Sequence, residues 1–269
     1  MAVEKNPRED GEYINSLARG LTVLRAFTRE RPEMTLSQVA AVTELSPAVV
    51  RRCLHTLIHL GYIGRKGKLF LLRPEVIAFA SAYLESMNLE EVVRPFLQDV
   101  RDQTGDSSSL AVLSQHDILY LVHVSTNRMV RLAAGVGTRF PAYANSLGRV
   151  LLAWQDAAYL QRYFETADIR ALTAKTTTSV PAIKQILKRI RRDGYASIQD
   201  ELDYGIVSIA VPVLDDSGEI LAAINCSTAT TRIVQDEMIR TRLAVLQAAA
   251  QRIQKQLHRY PILAHSIGH

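Results

Sequence analysis

Two cysteines in 269 residues, Cys53 and Cys226, are too few and too far apart for a disulfide framework or a zinc site. Both lie in apolar runs, so both are expected to be buried packing residues. No apolar run approaches the roughly 20 residues of a membrane span. The first residues are polar and charged, without the apolar core of a secretory leader. A cytoplasmic protein without membrane contact is expected. No G-x-S-x-G elbow, Walker loop, G-x-G-x-x-G or zinc spacing occurs. No catalytic residue, metal or cofactor is therefore expected. There is no internal repeat and no low-complexity tract.

Acidic residues are scarce in one region only. Residues 13–73 hold ten Lys/Arg against three Asp/Glu, a net of +7. From Pro74 onward 20 basic residues balance 20 acidic ones, and the first twelve residues carry two basic and four acidic. A basic module on a neutral body is the footprint of a protein that meets phosphates with one part only.

The basic region also carries the clearest local pattern. Thr35-Leu36-Ser37-Gln38 has the form of a capping box, opening a short helix with Leu36, Val39, Ala40 and Val42 on its apolar side. Thr43-Glu44-Leu45 reads as a turn. Ser46 and Pro47 then suit the N-cap and first position of a second helix. There Val50, Leu54, Leu57 and Ile58 share one face, and Ala48, Arg51, Arg52 and His55 the other, until Gly61. Residues 62–64 and 69–72 read as two strands around the basic tip Arg65-Lys66-Gly67-Lys68. This is the outline of a winged helix-turn-helix, whose second helix enters a major groove. The expected DNA contacts are Ser46, Ala48, Arg51, Arg52 and His55 on the helix, with Lys66 and Lys68 on the wing. Arginine can donate two bonds to guanine. His55 and His59 stand at i, i+4, a metal-compatible spacing, but no third ligand follows and DNA contact or exposure outweighs a metal.

The length suggests about two domains at roughly 100–200 residues each. The expected organisation is a disordered tail over 1–12, the winged helix-turn-helix over 13–73, and a linker helix over 74–88. An effector domain over 89–260 and a tail over 261–269 complete it. A first helix over 16–29 shows Leu17, Leu21, Leu24 and Phe27 at helical spacing. A helix over 89–103 turns Leu89, Val93, Phe96 and Val100 inward. Strands are expected over 108–113, 118–124, 129–133, 195–200, 206–214 and 219–227, and helices over 147–154, 157–164 and 182–193. A closing helix over 236–258 carries Ile239, Leu243, Leu246, Ala250, Ile253 and Leu257. The fold class is α+β, an antiparallel sheet flanked by helices.

A small acid would need a concave, largely apolar pocket with a few placed donors. The helix starting near Leu147 could offer amides to an anion. Asn225 and Ser227 share a strand face, with Ser208 in the neighbouring strand. Arg131 or Arg149 could pair with a carboxylate, although a salt bridge is the commoner fate. Asp200, Glu201 and Asp203 form an acidic cluster whose ordinary outcome is solvation or ion pairing.

The chain resembles the IclR family of bacterial transcription regulators over roughly 16–257. In the first domain the likeness rests on residues 16–21 (SLARGL), 36–40 (LSQVA), 51–57 (RRCLHTL) and 60–62 (LGY). In the second it rests on 137–143 (GTRFPAY), 146–153 (SLGRVLLA), 194–195, 200–202, 205–206, 209–213 (IAVPV) and 222–225 (AAIN). The first-domain strings look most like the subgroup that controls protocatechuate, 4-hydroxybenzoate and β-ketoadipate catabolism.

The resemblance implies a winged helix-turn-helix joined to a GAF-like effector domain. It implies a homodimer or tetramer on double-stranded operator DNA, with RNA polymerase as a further candidate partner. It implies a small organic acid effector, aromatic or derived from ring cleavage, and activation as readily as repression. The family's effector contacts fall on Met129, Leu132, Ser146, Leu147, Ser208, Asn225 and Ser227. An acidic contact of the family falls on Ile198, which has no carboxylate, so a more apolar ligand fits. The alternatives are a non-aromatic metabolite as effector, an enzyme fused to a DNA-binding module, and a ligand-independent DNA-binding protein with a collapsed apolar pocket.

Overall fold

A computed structural model describes residues 12–28, 30–87, 89–126 and 134–258, with 84–87 described by backbone only. The chain divides into two compact units, Met1–Ser86 and Met87–His269.

In the first unit three helices, α1 (Asn15–Arg25), α2 (Leu36–Thr43) and α3 (Pro47–His59), enclose a small core. Val23, Phe27, Met34, Val39, Val50, Leu54, Leu57, Ile63 and Phe70 form it. The wing is β2 (Ile63–Lys66) and β3 (Leu69–Leu72), paired antiparallel around Gly67, whose φ of 62° suits glycine. A third strand, β1 (Glu33–Thr35), pairs with the other edge of β3. It has only three residues, too few to show an alternation in the sequence.

Two expected faces are corrected. Leu17 and Leu21 are 60% and 46% exposed, and α1 instead buries Val23. Only the far end of α1 reaches the core, where Ala26 and Phe27 follow Val23. Ile58 is also exposed, because the inward line of α3 runs Val50, Leu54, Leu57. After β3 a 3-10 turn (Pro74–Val76) leads into α4 (Ile77–Met87), and the Phe79 ring stacks on Tyr62 at 5.3 Å.

The second unit opens with α5 (Leu89–Thr104), which buries Leu89, Val93, Leu97 and Val100. Leu97 therefore takes the inward place expected of Phe96, which lies under the Arg252 guanidinium at 4.7 Å. The described strands are β4 (Ser107–Ser114), β5 (Asp117–Val124), β6 (Arg139–Pro141), β7 (Ala196–Gln199), β8 (Ile206–Leu214) and β9 (Ile220–Ala229). They form one antiparallel sheet in the order β6-β5-β4-β9-β8-β7. The expected strand over 129–133 lies outside the described residues, and short β6 was not foreseen.

Helices α5 and α9 (Gln235–Leu257) pack against the sheet and each other, with Met238 buried where Ile239 was expected. Helix α6 (Ser146–Ala153) packs on β8, β9 and β4, backed by α8 (Val180–Asp193). Its core includes Ala111, Ala196, Ala210 and Ala223 from the sheet. Methyl-sized side chains let a helix approach a sheet closely. Gly148 continues that logic: a Cβ there would stand 2.2 Å from the Ala142 carbonyl oxygen. Helix α7 (Ala157–Thr166) adds Tyr163 to the same core.

Candidate functional site

The helix-turn-helix is held by its caps. The Thr35 hydroxyl accepts from the Gln38 amide at 3.4 Å, and the Gln38 side chain accepts from the Thr35 amide at 2.8 Å. Glu44 closes α2 in the left-handed region (φ 55°), and the Ser46 hydroxyl accepts from the Val49 amide at 3.4 Å to start α3. Such a cap is worth about 1 kcal/mol. With Val50, Leu54 and Leu57 turned inward, Ser46, Ala48, Arg51, Arg52 and His55 are all left exposed.

Arg51, His55 and Lys68 come together along a groove of about 660 Å³ between α2, α3 and the wing, shared with Thr35, Ser37 and Arg65. Ser46, Ala48, Arg52 and Lys66 are exposed but do not line it. Arg65 was noted only as part of the basic tip. Its Nε donates to the Gly67 carbonyl at 2.8 Å, and its guanidinium lies over the Phe70 ring at 5.8 Å. Cys53 is half-buried rather than buried, and both cysteines are free.

The second site is inside. Ser146, Leu147, Ser208, Asn225 and Ser227 line one small cavity with Tyr120, Asn145, Ile198, Leu202 and Ile206. Met129, Leu132 and Arg131 lie outside the described residues. Strand register explains the gathering. Ser208 pairs with Ser227 and with Ile198, while Asn225 pairs with Ala210 and Ser109, and antiparallel partners share a face. A β-bulge between Leu110 and Ala111 makes β5 pass an extra residue. Ser109 therefore pairs with His123 and Ala111 with Tyr120, so Tyr120 and His123 reach the same face, their rings stacked at 6.0 Å.

The cavity is narrow, with a largely apolar wall into which a few polar groups are set. Its volume is about 20 Å³, room for about one water molecule. The Ser146 and Ser208 hydroxyls meet at 2.9 Å. Asn145 caps α6, its Oδ1 accepting from the Gly148 amide at 2.7 Å. The Ser146 and Leu147 amides, the first of the helix, have no partner within it. Asn225 is only 3% exposed, and its Oδ1 is buried with no hydrogen-bond partner. A buried acceptor left open costs about 1–3 kcal/mol.

Tyr120, Asn145, Leu202 and Ile206 were missed as lining residues. Tyr120 stands on the strand expected over 118–124, and the bulge brings it to this wall. Its hydroxyl is pushed up to about 12 by burial, against hydrogen bonds from Ser109 and Asn225.

Arg149 does not line the cavity. Its guanidinium takes both oxygens of Glu201, with Nη1 to Oε1 at 2.6 Å, and donates through Nε to the Tyr143 carbonyl at 2.8 Å. The role of carboxylate partner considered for Arg149 is thus filled inside the protein. The acidic cluster resolves the same way. Asp200 meets Lys175 at 2.7 Å and the Gly205 amide at 2.7 Å, and the ammonium holds its carboxyl below the usual range. Asp203 accepts from the Tyr204 amide at 2.8 Å. Another anion, Asp106, is fully buried between Arg232 and Arg242, and ties the start of β4 to the α9 end of the unit. Among the described residues no three metal-ligating side chains cluster.

Residues 16–67 match the family model of the IclR helix-turn-helix domain, and residues 81–255 that of the bacterial transcriptional regulator IclR C-terminal region. The chain belongs to the IclR family. It is thus a DNA-binding transcription regulator, not an enzyme.

Among relatives, the Pca regulon regulatory protein of Pseudomonas putida is 38% identical, over 92% of this chain and 86% of its own. The p-hydroxybenzoate hydroxylase transcriptional activator of Acinetobacter baylyi is 33% identical, over 90% of this chain and 91% of its own. A solved double mutant of the PobR inducer-binding domain from Acinetobacter, in complex with 3-hydroxybenzoic acid, superimposes with a TM-score of 0.59 and 29% identity. That match covers 62% of this chain and 97% of that one. Among the described residues no helix is long and apolar enough to cross a membrane.

Proposed function

We propose that this IclR-family regulator senses a small aromatic or ring-cleavage-derived carboxylic acid in its second unit and adjusts operator binding by its first. The observation that carries this is the buried Asn225 acceptor left unmatched on the wall of the cavity. Serine hydroxyls, a helix start and an open carbonyl oxygen converge on its otherwise apolar wall. Relatives named for the pca regulon and p-hydroxybenzoate hydroxylase support the aromatic class. The cavity must widen to admit a ring, so binding is coupled to rearrangement of α6 and the strands around it. Ser146, Leu147, Ser208, Asn225 and Ser227 are the proposed contacts among the described residues, with Met129 and Leu132 added by resemblance.

In the same reading the winged helix-turn-helix spans 13–73, a linker 74–88 and the effector domain 89–260. Two copies pair, and each α3 enters one of two successive major grooves of a pseudopalindrome. Ser46, Ala48, Arg51, Arg52 and His55 meet bases or phosphates, and Lys66 and Lys68 meet phosphate. The effector acts allosterically by binding two arrangements of the dimer with different affinity.

A thermal-shift screen against protocatechuate, 4-hydroxybenzoate, β-ketoadipate and related acids tests this, since a ligand of the native state raises its melting temperature. A hit that also changes operator affinity supports the reading. No shift across the set sinks the aromatic-acid assignment and leaves DNA binding standing.

A further inference from the structure

Away from the cavity, helix α8 carries charge of one sign. It holds Lys184, Lys188, Arg189, Arg191 and Arg192 against Asp193 alone, a net of +4 in a segment that is balanced from Pro74 onward. All five cations are exposed. Arg191 and Arg192, in the last turn, suit the negative end of the helix, but Lys184 and Lys188 lie before that turn. Arg192 pairs with Asp193. Among the described residues Lys184, Lys188 and Arg191 have no ion pair. The acids beside them on α7 are engaged elsewhere. Asp156 caps that helix through the Tyr159 amide at 2.6 Å, and Glu165 accepts from Gln161 at 2.9 Å.

The same three cations edge an apolar groove of about 520 Å³ between α7 and α8. Lys184, Leu187, Lys188 and Arg191 stand at i, i+3, i+4 and i+7, so they share one helix face. Leu187 is the buried floor, joined by Leu160, Ala157 and Ala153. Aromatic rings hold the rim. The Arg191 guanidinium lies over Trp154 at 4.6 Å, and Lys184 Nζ over Phe164 at 5.3 Å. A cation held on a ring loses the freedom a solvated one keeps, so its charge stays beside the groove.

We propose that this groove docks an acidic amphipathic helix of a partner protein. The apolar side of that helix rests on Leu187, Leu160 and the two alanines, and its carboxylates meet Lys184, Lys188 and Arg191. Charge complementarity sets the sign of the occupant, and shape sets its kind. Three cations over seven residues span about 10 Å, which matches carboxylates one and two turns apart on a second helix. A small-molecule pocket buries most of its ligand. Here five of the eight lining residues are exposed and only Leu187 is buried, so a small anion would stay in water. A helix laid along the groove brings its own cover. Phosphates would meet the cations but leave the apolar floor bare. None of these lining residues lines the effector cavity, so the proposal stands apart from the acid-sensing reading.

The test is a fluorescence titration of the full-length protein with a synthetic helical peptide of about 18 residues, long enough to hold a helix in water. The peptide has leucines on one face, glutamates at i, i+4 and i+7 beside them, and no tryptophan. Trp154 is the one tryptophan of the chain, so the signal reports on the rim of the groove. A saturable change is expected, with a glutamine-for-glutamate peptide binding about tenfold weaker. Lys188→Glu should weaken the glutamate peptide about tenfold and leave the glutamine peptide within about twofold. Lys184→Glu serves if Lys188→Glu does not fold. No saturable change, or equal binding of the two peptides, overturns the proposal. So does glutamate-peptide binding that is undiminished in the folded variant, which would place it on another basic surface. Gel-shift and light-scattering measurements on Lys188→Glu cover two other occupants. Weaker operator binding with peptide affinity unchanged assigns the cations to DNA, and a changed oligomeric state assigns the groove to a second copy of the chain. Either result overturns the proposal.

Discussion

The two units place their candidate functional residues in opposite ways. In the first, the residues assigned to DNA sit on the outside of α3 and on the wing tip, exposed, around a core of apolar side chains alone. In the second, the cavity residues Ser146, Ser208 and Asn225 are each 5% exposed or less, inside a sheet–helix sandwich. An exposed cation stays solvated, so it can meet phosphate at little cost to the fold. A buried polar group must be matched by neighbours or by a ligand. Function and stability should therefore separate in the first unit and be entangled in the second.

The largest effect that comparison predicts lies beside the cavity. Glu201→Ala strands the buried Arg149 guanidinium, which is 4% exposed in its side chain. The expected loss is about 3–5 kcal/mol, read by urea denaturation. A loss below about 1 kcal/mol, the ordinary worth of a surface pair, would make the pair no more than that and erase the contrast.

Next come the α3 arginines. Arg51→Ala should cost about 1–3 kcal/mol of operator binding if the side chain reads a guanine. Its effect on stability should stay within about 0.5 kcal/mol. Arg51 lines the groove beside the wing and Arg52 does not. Gel-shift titrations of both variants on operator and on random DNA would show whether that difference matters. An equal loss on the two DNAs would remove base reading by that arginine.

For Asn225→Ala the expected outcome is loss of the effector response, with operator affinity near that of the unsubstituted protein. Induction of a reporter that persists unchanged would take Asn225 out of the site. The smallest effect belongs to the wing. Lys66→Ala and Lys68→Ala should each lower the slope of log affinity against log salt by about one. Unchanged slopes would mean that the wing does not touch phosphate.

The first unit was legible because its rules are local. A capping box, a Ser-Pro start, a glycine stop and the spacing of Val50, Leu54 and Leu57 act over three or four residues, and what is not inward is available to DNA. Its errors arose where locality ends. Leu17 and Leu21 have helical spacing, yet only the end of α1 meets the core. β1 exists only because β3 offers it an edge. In the second unit, alternation pointed to Asn225 and Ser227 with Ser208 in the next strand, the helix start pointed to Leu147, and resemblance added Ser146. Tyr120 escaped because an extra residue in β5 resets the face of its side chain. For Arg149 a salt bridge was the commoner expectation, but nothing in the sequence names Glu201, 52 residues on, as its partner.

The sequence by itself determined the helix-turn-helix, its charge, the order of the longer strands and helices, and membership of the IclR family. These depend on patterns repeated over a few residues and on strings kept in order along the chain. Only the tertiary structure decided that five candidates from α6, β8 and β9, four of them polar, share one cavity, that Arg149 is already paired, and that one oxygen of Asn225 is left without a partner. Those outcomes depend on strand register and on a close helix–sheet approach at Gly148, which join residues far apart in the chain.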